Sequence, residues 1–181
     1  WSYEDRYEGQ PVIPHLILGP YHLVRKRDFL ARYSITHILC IRDPSETRFL
    51  RDPQLPGIEL KFMDVPADVR KENIIPHFST ANQWMAQILR QGGTVLVCCS
   101  DGIDKSTAFV SAYLMNTFAL AAVDAVTFVQ NHRYCATPSS SGYRVKLVEY
   151  EPICVAQRQF VNQAANGPSE RNLRRRADDD E

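Results

Sequence analysis

Val95-Leu96-Val97-Cys98-Cys99-Ser100-Asp101-Gly102-Ile103-Asp104-Lys105-Ser106 is the stretch that decides the fold. A β-rich run, Thr94 to Cys99, leads into a short loop containing Gly102, and a helix-forming stretch follows. Strand, glycine loop and helix N-terminus in that order aim successive backbone N–H groups and the positive end of a helix at one point, which makes an anion site. A thiol at the start of such a loop has its thiolate stabilised by the same amides and dipole, so Cys99 stands where a nucleophile would stand. The basic residue closing the loop is Lys105. A guanidinium there would grip two phosphoryl oxygens at once, whereas an ammonium supplies charge without the fork.

Outward from the loop, apolar runs alternate with amphipathic ones. Strands are expected over Ile13 to Leu18, Ile35 to Ile41, Ile58 to Val65 and Thr94 to Cys99, with helices near His22 to Tyr33 and Ile75 to Gln91. The second helix carries Phe78, Ala81, Met85, Ile88 and Leu89 at core-facing spacing and stops before Gly92-Gly93. Thr107 to Phe118 is apolar nearly all round, as a buried central helix should be, and two more helices follow at about Ala122 to Asn131 and Ser140 to Gln157. This order predicts an α/β fold: a central, mostly parallel sheet of about five strands flanked by helices, with the phosphate-binding loop between the Thr94–Cys99 strand and the next helix.

The chain has 181 residues, 44% of them hydrophobic, enough for one sizeable core and little else. Its formal net charge is zero, so no global field recommends nucleic acid or an anionic membrane as partner. No apolar run approaches membrane-spanning length, the polar stretch Trp1 to Gln10 is no signal peptide, and a first residue other than Met points to a trimmed chain. A soluble protein is expected. Five cysteines, Cys40, Cys98, Cys99, Cys135 and Cys154, show neither metal-ligand spacing nor a secreted framework, and the five histidines, His15, His22, His37, His77 and His132, are scattered. No metal and no cofactor are therefore expected, and a reducing compartment, cytoplasm or nucleus or both, is the natural home. Strand neighbours point to opposite faces, so Cys98 should be packed rather than bridged to Cys99. From Ala164 to Glu181 apolar residues almost vanish, and Arg171 and Arg174 to Arg176 precede Asp178, Asp179, Asp180 and Glu181. The expected organisation is one domain over 1–160 and a charged tail, 161–181, disordered in isolation.

The loop and its surroundings resemble the protein tyrosine phosphatase superfamily, whose loop reads His-Cys-x-x-x-x-x-Arg followed by Ser or Thr, and within it the small dual-specificity branch. The likeness extends through Leu16-Ile17-Leu18-Gly19-Pro20-Tyr21, Ile35-Thr36-His37-Ile38-Leu39-Cys40-Ile41-Arg42, Glu72-Asn73-Ile74-Ile75, Ala112-Tyr113-Leu114-Met115, Gly142-Tyr143 and Leu147-Val148-Glu149-Tyr150-Glu151. In order and spacing it is most similar to the serine/threonine/tyrosine-interacting pseudophosphatases. The resemblance implies the small cysteine-phosphatase fold.

Three departures from that pattern weigh on activity. Cys98 stands where the family has His, Lys105 where it has Arg, and Asp104 precedes the cation where Ser is common. An unassisted thiol with a reference pKa near 8.5 is only about 3% thiolate at neutral pH. Loss of one preorganised oxyanion donor costs roughly a hundredfold to a thousandfold in rate. Asp101 or Asp104 turned inward would oppose thiolate and phosphate alike, because unit charges ~4 Å apart repel by ~4 kcal/mol at an effective dielectric of ~20.

The resemblance also implies a general-acid Asp about 25–35 residues before the nucleophile. Asp68, after Pro66 in the polar stretch Ala67 to Lys71, is placed for that role or for a solvated loop carboxylate, and Asp64 reads as a strand-end hydrogen-bonding group. Ser106 stands where the family's hydroxyl assists thiolate departure, and equally where a Ser satisfies helix N-terminal amides. Cys99, Ser100, Asp101, Gly102, Ile103, Asp104 and Lys105 form the implied phosphate-binding set. The family's Pro-Asn-x-Gly-Phe segment, whose Asn braces the loop, reads Pro138-Ser139-Ser140-Ser141-Gly142-Tyr143 here.

Three functional readings follow. The first is a pseudophosphatase that holds phosphorylated or acidic protein segments; the resemblance implies masking phosphosites, competing with active phosphatases, or anchoring kinases or ubiquitin-ligase components. The second is a slow protein phosphatase with Cys99 as nucleophile, Asp68 as acid and Lys105 as a point-charge clamp. The third is phosphoinositide binding or hydrolysis, because Cys99-Ser100-Asp101-Gly102-Ile103-Asp104-Lys105 resembles the myotubularin-type signature Cys-Ser-Asp-Gly-Trp-Asp-Arg, short of its Arg.

Overall fold

The computed structural model describes residues 1–139 and 142–165. Five strands, β1 (Gln10–Ile13), β2 (Leu16–Pro20), β3 (His37–Arg42), β4 (Glu59–Asp64) and β5 (Val95–Cys99), pair in the order β1-β2-β5-β3-β4. All neighbours are parallel except β1, which runs antiparallel along the edge of β2. The expected first strand is thus two. His15 takes a left-handed turn at φ 65° directly after Pro14, folding the run back on itself in a hairpin that pairs Pro11 with Ile17. Pro11, which has no N–H to give, is tolerated because β1 is an edge strand.

Strand alternation sorts the core into two layers. Leu16, Leu18, Leu39, Ile41, Val95, Val97 and Cys99 face one side of the sheet, while Ile17, Ile38, Cys40, Leu96 and Cys98 face the other. The first side is covered by α2 (Ile75–Arg90), α3 (Lys105–Phe118), α4 (Ala122–His132) and α5 (Tyr143–Ala165). There Phe78 packs edge-on against Phe109, ring centroids 4.9 Å apart. A buried side chain of this kind contributes about 1.5–3 kcal/mol. Every residue of α3 from Ser106 to Met115 is buried, as the all-round apolar pattern predicts. The opposite side is covered more thinly, by a 3-10 helix, Tyr21–Arg25, and α1 (Arg27–Arg32). The expected helix from His22 to Tyr33 is therefore broken at Lys26, whose backbone is extended.

α5 outruns the expected end at Gln157 by one further stretch and carries the chain across the proposed boundary at residue 160. Arg158 donates to the Met115 carbonyl at 2.8 Å and Gln157 to the Ser79 hydroxyl at 3.2 Å, which ties this turn to α3 and α2. Beyond it Phe160 and Val161 are exposed. The expected helix start at Ser140, with Ser141, lies outside the described residues, as does the charged tail beyond Ala165. Among the described residues no single helix is long and apolar enough to cross a membrane.

Candidate active site

Parallel pairing places the carboxyl ends of β2, β5, β3 and β4 on one side of the sheet, with Pro20 beside Cys99, Cys40 beside Cys98 and Arg42 beside Asp64. The segments that leave these strands, including 43–46, 65–68 and 100–105, converge there, as ligand-binding loops do in open α/β sheets. The loop after β5 turns sharply at Gly102, φ 68°. A Cβ at that position would lie 2.4 Å from the Gly19 carbonyl carbon and 2.6 Å from the Pro20 nitrogen, so only glycine lets the loop settle on β2.

Cys99 sits at the bottom of the loop, almost wholly buried. Its sulfur is 3.1 Å from the Ser106 hydroxyl, and its thiol points at the Asp101 carboxylate, 3.4 Å away. Burial raises the Cys99 pKa and the Asp101 charge raises it further; hydrogen bonds from Ser106 and from the Gly102 amide pull the other way without prevailing. The thiol is thus neutral at pH 7. Asp101 is held in this inward pose by the Ile103 amide, which donates to the same carboxylate oxygen at 2.9 Å.

Asp104 turns away from the thiol. Its carboxylate accepts the Ser139 amide at 2.8 Å, and the Thr137 amide donates to the Ile103 carbonyl at 2.8 Å. The brace that the family builds from an Asn is made here from the loop side, by Asp104. Burial raises the Asp104 pKa despite these contacts. Tyr143, where the family has Phe, is buried nearby with its hydroxyl unpartnered among the described residues. Burial raises its pKa, and the charges of Asp104, Cys99, Asp43 and Glu46 raise it further.

Lys105 does not reach over the loop. Its ammonium lies 3.2 Å from Asp43 and 3.2 Å from Glu46, both on the segment that leaves β3. All three side chains are mostly shielded from water. Burial lowers the Lys105 pKa, but the two carboxylates outweigh it and the net shift is upward. Asp43 shows the counterpart: burial raises its pKa, and hydrogen bonds from Ser45 and Lys105 overcome that to leave it lowered.

A cleft of about 340 Å³ beside the loop is lined by Asp43, Asp68, Arg70, Asp104, Lys105 and Tyr143 among others. Asp68 therefore lines the same cleft as Asp104 and Lys105, but it is not free. Arg70 grips it through Nε at 2.9 Å and a terminal nitrogen at 3.1 Å, and the Arg70 amide adds a third bond at 3.1 Å. These hydrogen bonds lower the Asp68 pKa to about 2. Asp64 is at the strand end, accepting from Arg42 Nε at 2.6 Å.

Beneath the loop lies Arg133, fully buried. Its guanidinium donates to the carbonyls of Gly102 at 2.8 Å, Asp101 at 3.3 Å, Glu8 at 2.8 Å and Arg6 at 2.9 Å, and to the Gln10 side-chain oxygen. With the Asp101 and Gly102 carbonyls drawn downward, the Gly102 amide faces the sulfur. Cys98 occupies the other sheet face, fully buried against Cys40, and burial raises its pKa well above the ordinary thiol value. Among the described residues no group of three or more His, Cys, Asp or Glu is arranged to hold a metal ion.

A parallel strand ending in a buried thiol, a glycine-turned loop with an amide on the sulfur, and a buried helix behind it define the cysteine-phosphatase class of fold. The chain belongs to the dual specificity phosphatase family: the family model "Dual specificity phosphatase, catalytic domain" matches residues 16–153. It is 39% identical over 159 residues to the mouse serine/threonine/tyrosine-interacting protein, covering 87% of this chain and 70% of that one. Mouse dual specificity protein phosphatase 22 is 30% identical over 154 residues, covering 84% of this chain and 79% of the relative. The crystal structure of the human tyrosine phosphatase-like serine/threonine/tyrosine-interacting protein superposes with a TM-score of 0.76 at 37% identity, over 82% of this chain and 99% of the other.

Sequence reasoning placed Cys99, the loop, Ser106 and Asp68 at one site and missed Asp43, Glu46, Arg70 and Arg133. The first two had a usable signal: they follow β3, the strand beside β5, at the end where such sheets bind ligands.

Proposed function

We propose that the protein is a catalytically impaired, dual-specificity-phosphatase-like protein, a pseudophosphatase, that binds phosphorylated or acidic protein partners and acts as competitor or scaffold in phosphorylation signalling. The observation that carries this reading is the capture of Lys105 by Asp43 and Glu46. At an effective dielectric of about 20, each such contact represents about 5 kcal/mol of Coulomb attraction before desolvation and screening, which a phosphoryl group must displace to recruit the ammonium. Two further contacts support it. Asp101 places a negative charge against the sulfur, where thiolate and phosphate would add more, and Arg70 keeps Asp68 ionised when a general acid must carry a proton. The similar relatives named for interacting with serine, threonine and tyrosine fit this role. Kinases or ubiquitin-ligase components as partners, and residence in cytoplasm or nucleus, belong to the same reading.

A second reading, a slow protein phosphatase, is favoured by the Cys99–Ser106 contact and the Gly102 amide on the sulfur. In that chemistry the minor thiolate form of Cys99 attacks phosphorus, a P–S bond replaces the P–O bond as Asp68 gives its proton to the departing oxygen, and water then cleaves the P–S bond to release phosphate and free Cys99. Steady-state hydrolysis of an aryl phosphate separates the two: we expect negligible turnover, and brisk turnover abolished by Cys99→Ser would overturn the proposal. Titration with phosphorylated and unphosphorylated peptides tests binding at the loop, where affinity indifferent both to the phosphate and to Lys105→Ala would remove the loop from the account. Phosphoinositides in the same assays test the lipid reading, which fails if they neither bind nor release phosphate.

A further inference from the structure

The cations at the loop are already paired, Lys105 with Asp43 and Glu46 and Arg70 with Asp68. Three cations without an ion pair among the described residues gather elsewhere. On the thinly covered face of the sheet, two clefts flank α1 and meet at Arg27. The first, about 490 Å³, is ringed by Arg25, Lys26, Arg27 and Arg32, against only Glu8 and Asp28. Lys26 pairs with Glu8 at 3.5 Å. Arg25, Arg27 and Arg32 are exposed and make no ion pair among the described residues. The second cleft, about 510 Å³, has an apolar floor of Leu30 and Ile35 with Leu55 and Ile58 half-buried at its sides and Pro53 at its rim.

We propose that these two clefts form one docking groove for an extended segment of a partner protein in which a run of acidic residues adjoins an apolar anchor. The acidic run would lie against Arg25, Arg27 and Arg32, and the anchor would enter the cleft between Leu30 and Leu55. Charge complementarity selects the first half of the ligand, and removal of Leu55 and Ile58 from water selects the second. Nucleic acid satisfies the arginines but offers its phosphate backbone nothing to place in the apolar cleft. A bilayer is flat, and the two clefts are recessed on either side of the α1 ridge. The groove lies across the sheet from α3 and needs nothing from the loop, so it deepens the partner-binding proposal without depending on phosphate capture.

The test is fluorescence anisotropy with the full chain and a labelled peptide in which a run of Glu and Asp is followed by Leu-Pro-Leu. Saturable binding is expected, weakened roughly tenfold by the combined change Arg25→Ala, Arg27→Ala, Arg32→Ala and by similar amounts when the peptide leucines become serine. The three arginines make no ion pair or side-chain hydrogen bond among the described residues, so a nearly unchanged thermal midpoint of that variant is expected and certifies its fold. Absence of binding, or binding indifferent to the three arginines, overturns the proposal. Equal affinity for single-stranded DNA of matched charge, or for phosphatidylserine vesicles, overturns the assignment to a peptide. Loss with Lys105→Ala but not with the arginine variant places the contact at the loop, which would sink the groove and leave the loop reading standing.

Discussion

The floor and the rim of the loop have parted company. On the floor, the thiol, the Ser106 hydroxyl, the Gly102 turn and the Arg133 fork hold one another in a closed set of contacts, each buried. At the rim, the groups that a phosphoryl transfer would need to swing or titrate are engaged with other residues: Lys105 with Asp43 and Glu46, Asp68 with Arg70. The floor is a matter of folding. Its contacts satisfy buried backbone groups and would cost stability if broken, whatever the loop does chemically. The rim is a matter of reaction, and there a few ion pairs suffice to alter it while leaving the fold in place.

The largest effect should come from the floor. Arg133→Ala leaves four carbonyls and the Gln10 side chain without their donor in a buried site. We expect a loss of about 3–5 kcal/mol in urea unfolding. Arg133→Lys keeps a charge but not the fork, and should recover only part of it. A loss below about 1 kcal/mol would show that the loop holds its shape unaided, and the contrast between floor and rim would lose its first half.

The rim should answer in rate. Lys105→Arg alone is expected to gain little aryl-phosphate turnover, because Asp43 and Glu46 would pair with the guanidinium as they do with the ammonium. Lys105→Arg together with Asp43→Asn, Glu46→Gln and Cys98→His frees the fork and restores the family's residue before the nucleophile. That combination should raise turnover at least about tenfold, against the hundredfold or more that a single oxyanion donor can supply. If Lys105→Arg by itself gives the full gain, the carboxylates are no obstacle and the pairing seen at the rim is incidental.

A smaller effect joins the two regions, since Asp101 belongs to the loop yet acts on the thiol. Asp101→Asn removes the charge that adds to burial in raising the Cys99 pKa. Alkylation of Cys99 by iodoacetamide at pH 7 should quicken by roughly threefold to tenfold, because more of the thiol is then ionised. In the unaltered protein the rate should climb only at pH above the ordinary thiol value of about 8.5. The same raised pKa makes a neutral Cys99 stabilising below that value, a contribution lost as pH rises through the folded pKa.

The floor was legible in the sequence for physical reasons that the rim lacks. Strand alternation put Cys98 and Cys99 on opposite faces, and the apolar surface of Thr107 to Phe118 called for a buried helix, which holds through Met115 while Thr117 and Phe118 emerge into solvent. These are local rules. The latch on Lys105 joins residues 59 positions apart, and no local rule says which way a lysine bends. Arg133 follows Asn131 and His132 and reads as an exposed helix end, because nothing in its neighbours signals the four carbonyls waiting inside. The hairpin at His15 has only half a signature: Pro14 suits the first corner of a turn, but the left-handed residue that follows is neither Gly nor Asn.

Arg70→Ala should give the smallest effect and the sharpest test of the rim. The guanidinium holds Asp68 at about 2, and its removal should return the carboxyl toward the ordinary value of about 3.9, read by NMR titration of the side chain. The depressed pKa stabilises the folded state above about pH 4 and that contribution disappears as pH falls through about 2; Asp68 lies at the surface, so the change in stability should be slight. Its bearing on chemistry is greater. At pH 7 a carboxyl of pKa about 2 is protonated in roughly one molecule in 100,000, and at 3.9 in roughly one in a thousand. In the variant with the freed fork, adding Arg70→Ala should therefore raise the rate for a poor leaving group and leave that for a good one unmoved, since only the former needs a proton. Equal effects on both would mean that Asp68 serves the Arg70 pair alone, and that the rim lacks an acid as well as a grip.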